Sequence, residues 1–219
     1  MINDLKDAEK DRLHPKKKER PIASGKICAK NAIIFSGVLF LASLFLAWAV
    51  DISVLWLVLC YFFLMLLYTF SLKEIAIIDA FAIAGGFVIR ALAGCFAAGI
   101  EVTTWFYLVV LFFAIYLAFC KRLTELSVAG KEHKNSLAVY EHLSEIGIAI
   151  SGSATLSMYA IYTLGKGGLI LWSVPLAFLG MLLHLRETLA GKEVHESLKS
   201  PELMLTGLAF IIVVLLSLY

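Results

Sequence analysis

Charge is scarce in this chain. Of its 219 residues only 16% are Asp, Glu, Lys or Arg and 61% are hydrophobic, and a mean hydropathy of +0.88 excludes an ordinary soluble globular domain. The in-out alternation of a transmembrane barrel is also missing, so the apolar runs read as helices, which satisfy their own backbone polar groups in lipid. Cysteine is sparse: Cys28, Cys60, Cys95 and Cys120 are scattered singly with no CxxC spacing, which argues against a thiolate metal site or a disulfide framework and for packing or membrane-boundary roles. The first 30 residues are polar and basic, without a short apolar core before a small-residue cleavage site. The expectation is therefore that the first hydrophobic helix is retained.

What is present is a set of long apolar runs. Seven continuous stretches, 32–50, 52–72, 75–100, 102–120, 146–164, 167–183 and 203–219, approach or exceed the roughly 20 residues that a membrane-spanning helix needs. The fold class expected is all-α, a polytopic membrane helical bundle. Nine of the 19 Lys and Arg fall in residues 1–31, followed by Lys73, by Lys121, Arg122, Lys131 and Lys134, and by Arg186, Lys192 and Lys199; Arg90 lies inside a helix and only Lys166 falls on the other side. By the positive-inside rule, the N-terminus and the connections near 73, 121–145 and 184–202 face the cytoplasm, so function is to be sought on that face.

Polar chemistry concentrates at the start. Asp4, Asp7 and Asp11 are spaced i, i+3, i+7, so on a helix they form a narrow stripe, with Asn3 beside it. Carboxylates so arranged repel unless neutralised. A hard divalent cation would do it, since magnesium is usually held by one or two carboxylates together with substrate phosphates; a solvated helix end with Lys6, Lys10 and Arg12 pairing with nearby acids would do it too. His14-Pro15 ends the helix, and Lys16, Lys17, Lys18 and Arg20 then line a turn with cations that suit phosphate oxygens, topology signalling or anionic lipid.

The run NDLKDAEKDRLHPKKKERPIASG resembles the first Asp-rich signature of the UbiA-type membrane prenyltransferase superfamily, especially its decaprenyl-phosphate phosphoribosyltransferase branch. The segment KRLTEL at 121–126, the stretch 136–140 and the segment 73–94 resemble the same branch. The resemblance implies nine transmembrane helices with the Asp-rich motif after the second. This chain is thus expected to be one UbiA-like domain over 1–219 that is incomplete at its N-terminus, with motif and basic hairpin in 1–31 and seven helices in 32–219. The resemblance also implies Mg2+ as cofactor, held by Asn3, Asp4, Asp7 and Asp11, the aspartates being catalytic through it. Aromatic prenyltransferases of the superfamily carry a second acidic cluster in the loop after 120. This chain has instead Lys121, Arg122 and Glu125, which suits a substrate with additional phosphate groups; as a simpler alternative, Lys121 and Glu125 form an ordinary i,i+4 pair.

Charged residues at membrane depth are costly and face a cavity or a partner. Asp79 and Arg90, eleven residues apart, are such residues, with Arg90 expected to meet a phosphate or a carboxylate from another helix. The expected substrate ligands are Lys17, Arg20, Lys73, Arg90, Lys121, Arg122 and Glu125, with Lys134 a further cation. The reaction implied is transfer of a 5-phosphoribosyl group from phosphoribosyl diphosphate to a membrane polyprenyl phosphate, for cell-envelope polysaccharide synthesis, with the bilayer and no nucleic acid as partner. A UbiA-type enzyme using a prenyl diphosphate donor and a non-enzymatic transporter are the alternatives.

Overall fold

The computed structural model describes residues 2–13, 17–129, 135–192 and 194–217. Every extended element in them is helical: α1 Ile2–Leu13, α2 Ala29–Val50, α3 Ile52–Phe70, α4 Ile78–Ala97, α5 Thr104–Ala129, α6 Asn135–Lys166, α7 Ser173–Leu189, α8 Val194–Ser197 and α9 Pro201–Leu216, with 3-10 turns at Lys17–Glu19, Leu72–Glu74 and Gly168–Trp172. Among the described residues, six helical segments are long and apolar enough to cross a membrane. The seventh expected span, α9, has 16 residues and a rise of about 24 Å, short of the roughly 30 Å hydrocarbon core. Apolar side chains point outward, among them Phe35, Leu41, Phe45 and Trp48 of α2, as hydrocarbon requires.

The residues form two compact units, 1–73 with 92–101, and 74–91 with 102–219. In the first unit α2 and α3 form a hairpin. Asp51 ends α2 and caps α3, accepting the Ser53 N–H at 2.6 Å, and hydrogen bonding from the Ser53 side chain, then from its N–H, holds the carboxyl below the usual carboxylate range. The Phe40 and Phe62 rings stack across the hairpin at 4.0 Å. Helix α1 is tied to the end of α3 by Lys6, whose ammonium donates to the Thr69 and Phe70 carbonyls at 2.7 and 3.2 Å. A cation on the final carbonyls complements the negative end of the helix dipole.

The second unit is built on the antiparallel pair α5 and α6. At 26 and 32 residues they run about 39 and 48 Å, so both outreach the hydrocarbon core, and the joined ends carry Arg122 and Tyr140. Ala114, Tyr116, Phe119, Cys120, Tyr140 and Ile148 form the core with Ala84 of α4. The buried stripe of α6 is small and hydroxylated: Ser144, Ser151 and Thr155 donate to the carbonyls of Tyr140, Gly147 and Ser151. Small residues let helices approach closely where no hydrophobic drive acts between them in lipid. Gly147 is the limiting case, because a Cβ there would sit 2.7 Å from the Phe119 ring.

Phe119 is itself buried, so the clash has no easy outlet. Gly147→Val is expected to destabilise the protein by about 1–3 kcal/mol, measured as a lower melting temperature in detergent; unchanged melting would refute the close approach.

Candidate functional site

Helix α1 places its three aspartates as the i, i+3, i+7 spacing requires, and the folded chain brings two cations to them. Arg20 arrives from the turn after the 3-10 segment, which is closed by hydrogen bonds from Ser24 N to the Arg20 carbonyl at 2.8 Å and from Ile27 N to the Pro21 carbonyl at 3.0 Å. Its Nη1 lies 3.0 Å from Asp4 Oδ1 and 2.9 Å from Asp11 Oδ2, so one guanidinium bridges acids two turns apart. Lys73, 66 residues from Asp7 in sequence, places Nζ 2.6 and 2.8 Å from the two Asp7 oxygens. Asp11 is buried. Lys6 and Arg12, which the bland reading would pair with the acids, have recorded hydrogen bonds to backbone carbonyls instead, Arg12 Nε to Ala23 at 3.1 Å.

Beside this stripe, Asn3 Oδ1 is buried and has no hydrogen-bond partner among the described residues. A buried acceptor without a donor is costly and calls for a ligand. No group of three or more His, Cys, Asp or Glu with metal-holding geometry occurs among the described residues. The side chain of Lys17 and all of Lys134 lie outside them. Lys18 is exposed.

The second unit holds its own charged cluster. Asp79, in the first turn of α4, is buried, and its Oδ2 lies 2.8 Å from Arg122 Nε. Its Oδ1 accepts the Ala80 N–H at 2.7 Å and the Tyr140 hydroxyl. Arg122 is buried as well and reaches Glu125 one turn on through Nη1, so Glu125 is held by its i−3 neighbour, whereas the sequence pattern suggested Lys121 at i−4. Lys121 is exposed. Arg90, also exposed, donates from Nε to the Gly86 carbonyl at 3.1 Å and lies 4.5 Å over the Phe87 ring. Those two contacts lie within α4, and Asp79 is engaged by Arg122 and Tyr140.

Two groups had no readable signal in the sequence. Tyr140 lay in a segment noted only for its resemblance, yet it is 1% exposed and hydrogen-bonded on both sides of its oxygen. His184 is buried with Nδ1 3.2 Å from the Tyr116 hydroxyl.

The profile of the UbiA prenyltransferase family matches residues 1–205. Decaprenyl-phosphate phosphoribosyltransferase of Mycolicibacterium smegmatis is 38% identical over 143 residues, 64% of this chain and 45% of that protein. The enzyme of the same name from Mycobacterium tuberculosis is 31% identical over 173 residues, 77% of this chain and 57% of its own length. The chain thus spans about half the length of these relatives. Among solved structures, a UbiA homolog from Archaeoglobus fulgidus bound to DMAPP and Mg2+ superposes with a TM-score of 0.74 at 19% identity, covering 99% of this chain and 80% of the other.

Removing one partner of a buried ion pair strands the other charge. Arg122→Leu is therefore expected to destabilise by about 3–5 kcal/mol, and the Asp79→Leu/Arg122→Leu pair to regain most of it. Thermal unfolding in detergent checks this, and equal losses in both would show that the pair is not coupled.

Proposed function

The chain belongs to the UbiA prenyltransferase family, and from that premise we propose that it transfers a 5-phosphoribosyl group from phosphoribosyl diphosphate to a polyprenyl phosphate in the membrane. The names of the relatives support the substrates. The observation that carries the reading is the stripe on α1, three carboxylates facing two cations beside an orphaned amide oxygen.

The stripe fits Mg2+. Its donors are all oxygens, and one of them, Asn3 Oδ1, has no competing hydrogen bond; magnesium usually completes its shell with substrate phosphates and water. Asn3, Asp4, Asp7 and Asp11 would hold it. When bound, the ion supplies positive charge against the departing diphosphate. Arg20 and Lys73 hold the aspartates on one face and share their donors with the diphosphate oxygens; Lys17 belongs to the same basic segment. Lys121 and Arg122 bind further phosphate groups, with Glu125 orienting Arg122. Arg90 is the weakest of the proposed ligands, given its exposure.

The acceptor phosphate oxygen attacks C1 of the ribose, forming the new C–O bond as the bond to diphosphate breaks. The acceptor is already anionic, so no protein nucleophile and no proton abstraction are needed. The product is a polyprenyl-phosphoryl ribose, a precursor for cell-envelope polysaccharide. The positive-inside asymmetry supports a cytoplasmic face for this chemistry.

Purified protein is expected to release diphosphate from phosphoribosyl diphosphate only when polyprenyl phosphate and Mg2+ are both supplied, with chelation abolishing release. Asp7→Ala should lower the rate by at least about a hundredfold. Release from a prenyl diphosphate instead would establish the prenyltransferase alternative, and magnesium-independent solute uptake that survives Asp7→Ala would establish a transporter.

A further inference from the structure

Among the described residues the one non-glycine with a positive φ is Ile77, whose φ of 72° puts a β-branched residue in the left-handed region that such side chains avoid. It is the residue immediately before α4. Its N–H donates to the Tyr140 hydroxyl at 2.7 Å, and that hydroxyl in turn donates to Asp79 Oδ1. Asp79 continues through Oδ2 to Arg122, and Arg122 to Glu125. A single phenol oxygen thus closes a chain from a strained peptide to the buried guanidinium. Burial, reinforced by the Asp79 carboxylate, pushes the phenol up, so the hydroxyl keeps its proton and stays a donor to Asp79. The ring packs edge-on against Phe119, centroids 6.1 Å apart at 68°.

We propose that Tyr140 is a positioning residue: its hydroxyl clamps the Ile77 turn at the entry to α4 and, through Asp79, fixes the direction from which Arg122 meets a substrate phosphate. The second half rests on the reading of Arg122 as a phosphate ligand. The orientation matters because a guanidinium binds phosphate through a rigid planar fork, so a tilt of the plane breaks paired contacts that a point charge would keep. The clamp explains why a strained peptide is kept. With Ile77 turned, α4 starts with Asp79 under Tyr140, and the hydroxyl satisfies a peptide N–H and a carboxylate at once.

Tyr140→Phe keeps the ring and its contact with Phe119 while removing both hydrogen bonds. KM for phosphoribosyl diphosphate or for polyprenyl phosphate, the one whose phosphate Arg122 holds, is expected to rise about tenfold, the size of a lost charged hydrogen bond, with a smaller change in kcat. Arg122→Lys should raise the same KM, and adding Tyr140→Phe to it should have little further effect, because the tyrosine acts through the arginine. The melting temperature of Tyr140→Phe should fall by about 3 °C. Ile77→Gly in that background should restore it, since glycine takes a positive φ without strain and the Ile77 side chain is 41% exposed, but KM should stay high.

An unchanged KM, or additive effects of Tyr140→Phe and Arg122→Lys, would overturn the positioning role; melting not restored by Ile77→Gly would overturn the clamp. Should Tyr140→Phe fail to accumulate, Ile77→Gly should recover the protein, and failure to do so counts against the clamp equally. If the wild-type protein releases no diphosphate, the functional reading falls by itself. The same comparison, made with the dissociation constant for inorganic phosphate, then still decides whether Tyr140 sets Arg122.

Discussion

An ionised side chain cannot remain at the edge of hydrocarbon without a partner, and this requirement organises both charged clusters of the protein. Asp79 is 4% exposed and Arg122 8%, a degree of burial that makes an unpartnered charge very costly. The two are paired at 2.8 Å, and Tyr140 and Ala80 donate further hydrogen bonds to the carboxylate. The consequence is rigidity. A guanidinium held from two sides by Asp79 and Glu125 has little freedom to search, which suits recognition of a tetrahedral anion of fixed geometry.

The cluster on α1 meets the same requirement with a different balance. Asp4, Asp7 and Asp11 are opposed by Arg20 and Lys73, so those five groups retain one negative charge in excess. That balance is compatible with the proposed magnesium ion, which usually completes its shell with substrate phosphates.

Much of this was legible before folding was considered. The helical stripe of Asp4, Asp7 and Asp11 follows from a periodicity of 3.6 and needs no tertiary information. The cations next to it in sequence were legible as a group, but which of them reaches the acids was not: Lys6 turns to the end of α3, and Arg20 bridges Asp4 and Asp11. Lys73 could be picked as a cation at a helix start, while its pairing with Asp7 spans 66 residues. Glu125 was visible as an acid among bases, and its choice of Arg122 over Lys121 depended on which face of α5 is buried.

By itself the sequence determined the membrane setting, the number and order of apolar helices to within the short α9, and the face of α1 that bears carboxylates, because each of these depends on composition or on contacts within a turn or two of the chain. The tertiary structure alone decided that Tyr140 closes the Asp79 pair, that Gly147 must admit the Phe119 ring, and that Ile77 adopts a positive φ. Those outcomes come from residues far apart in sequence competing for the same space and the same protons, and local propensity carries no record of that competition.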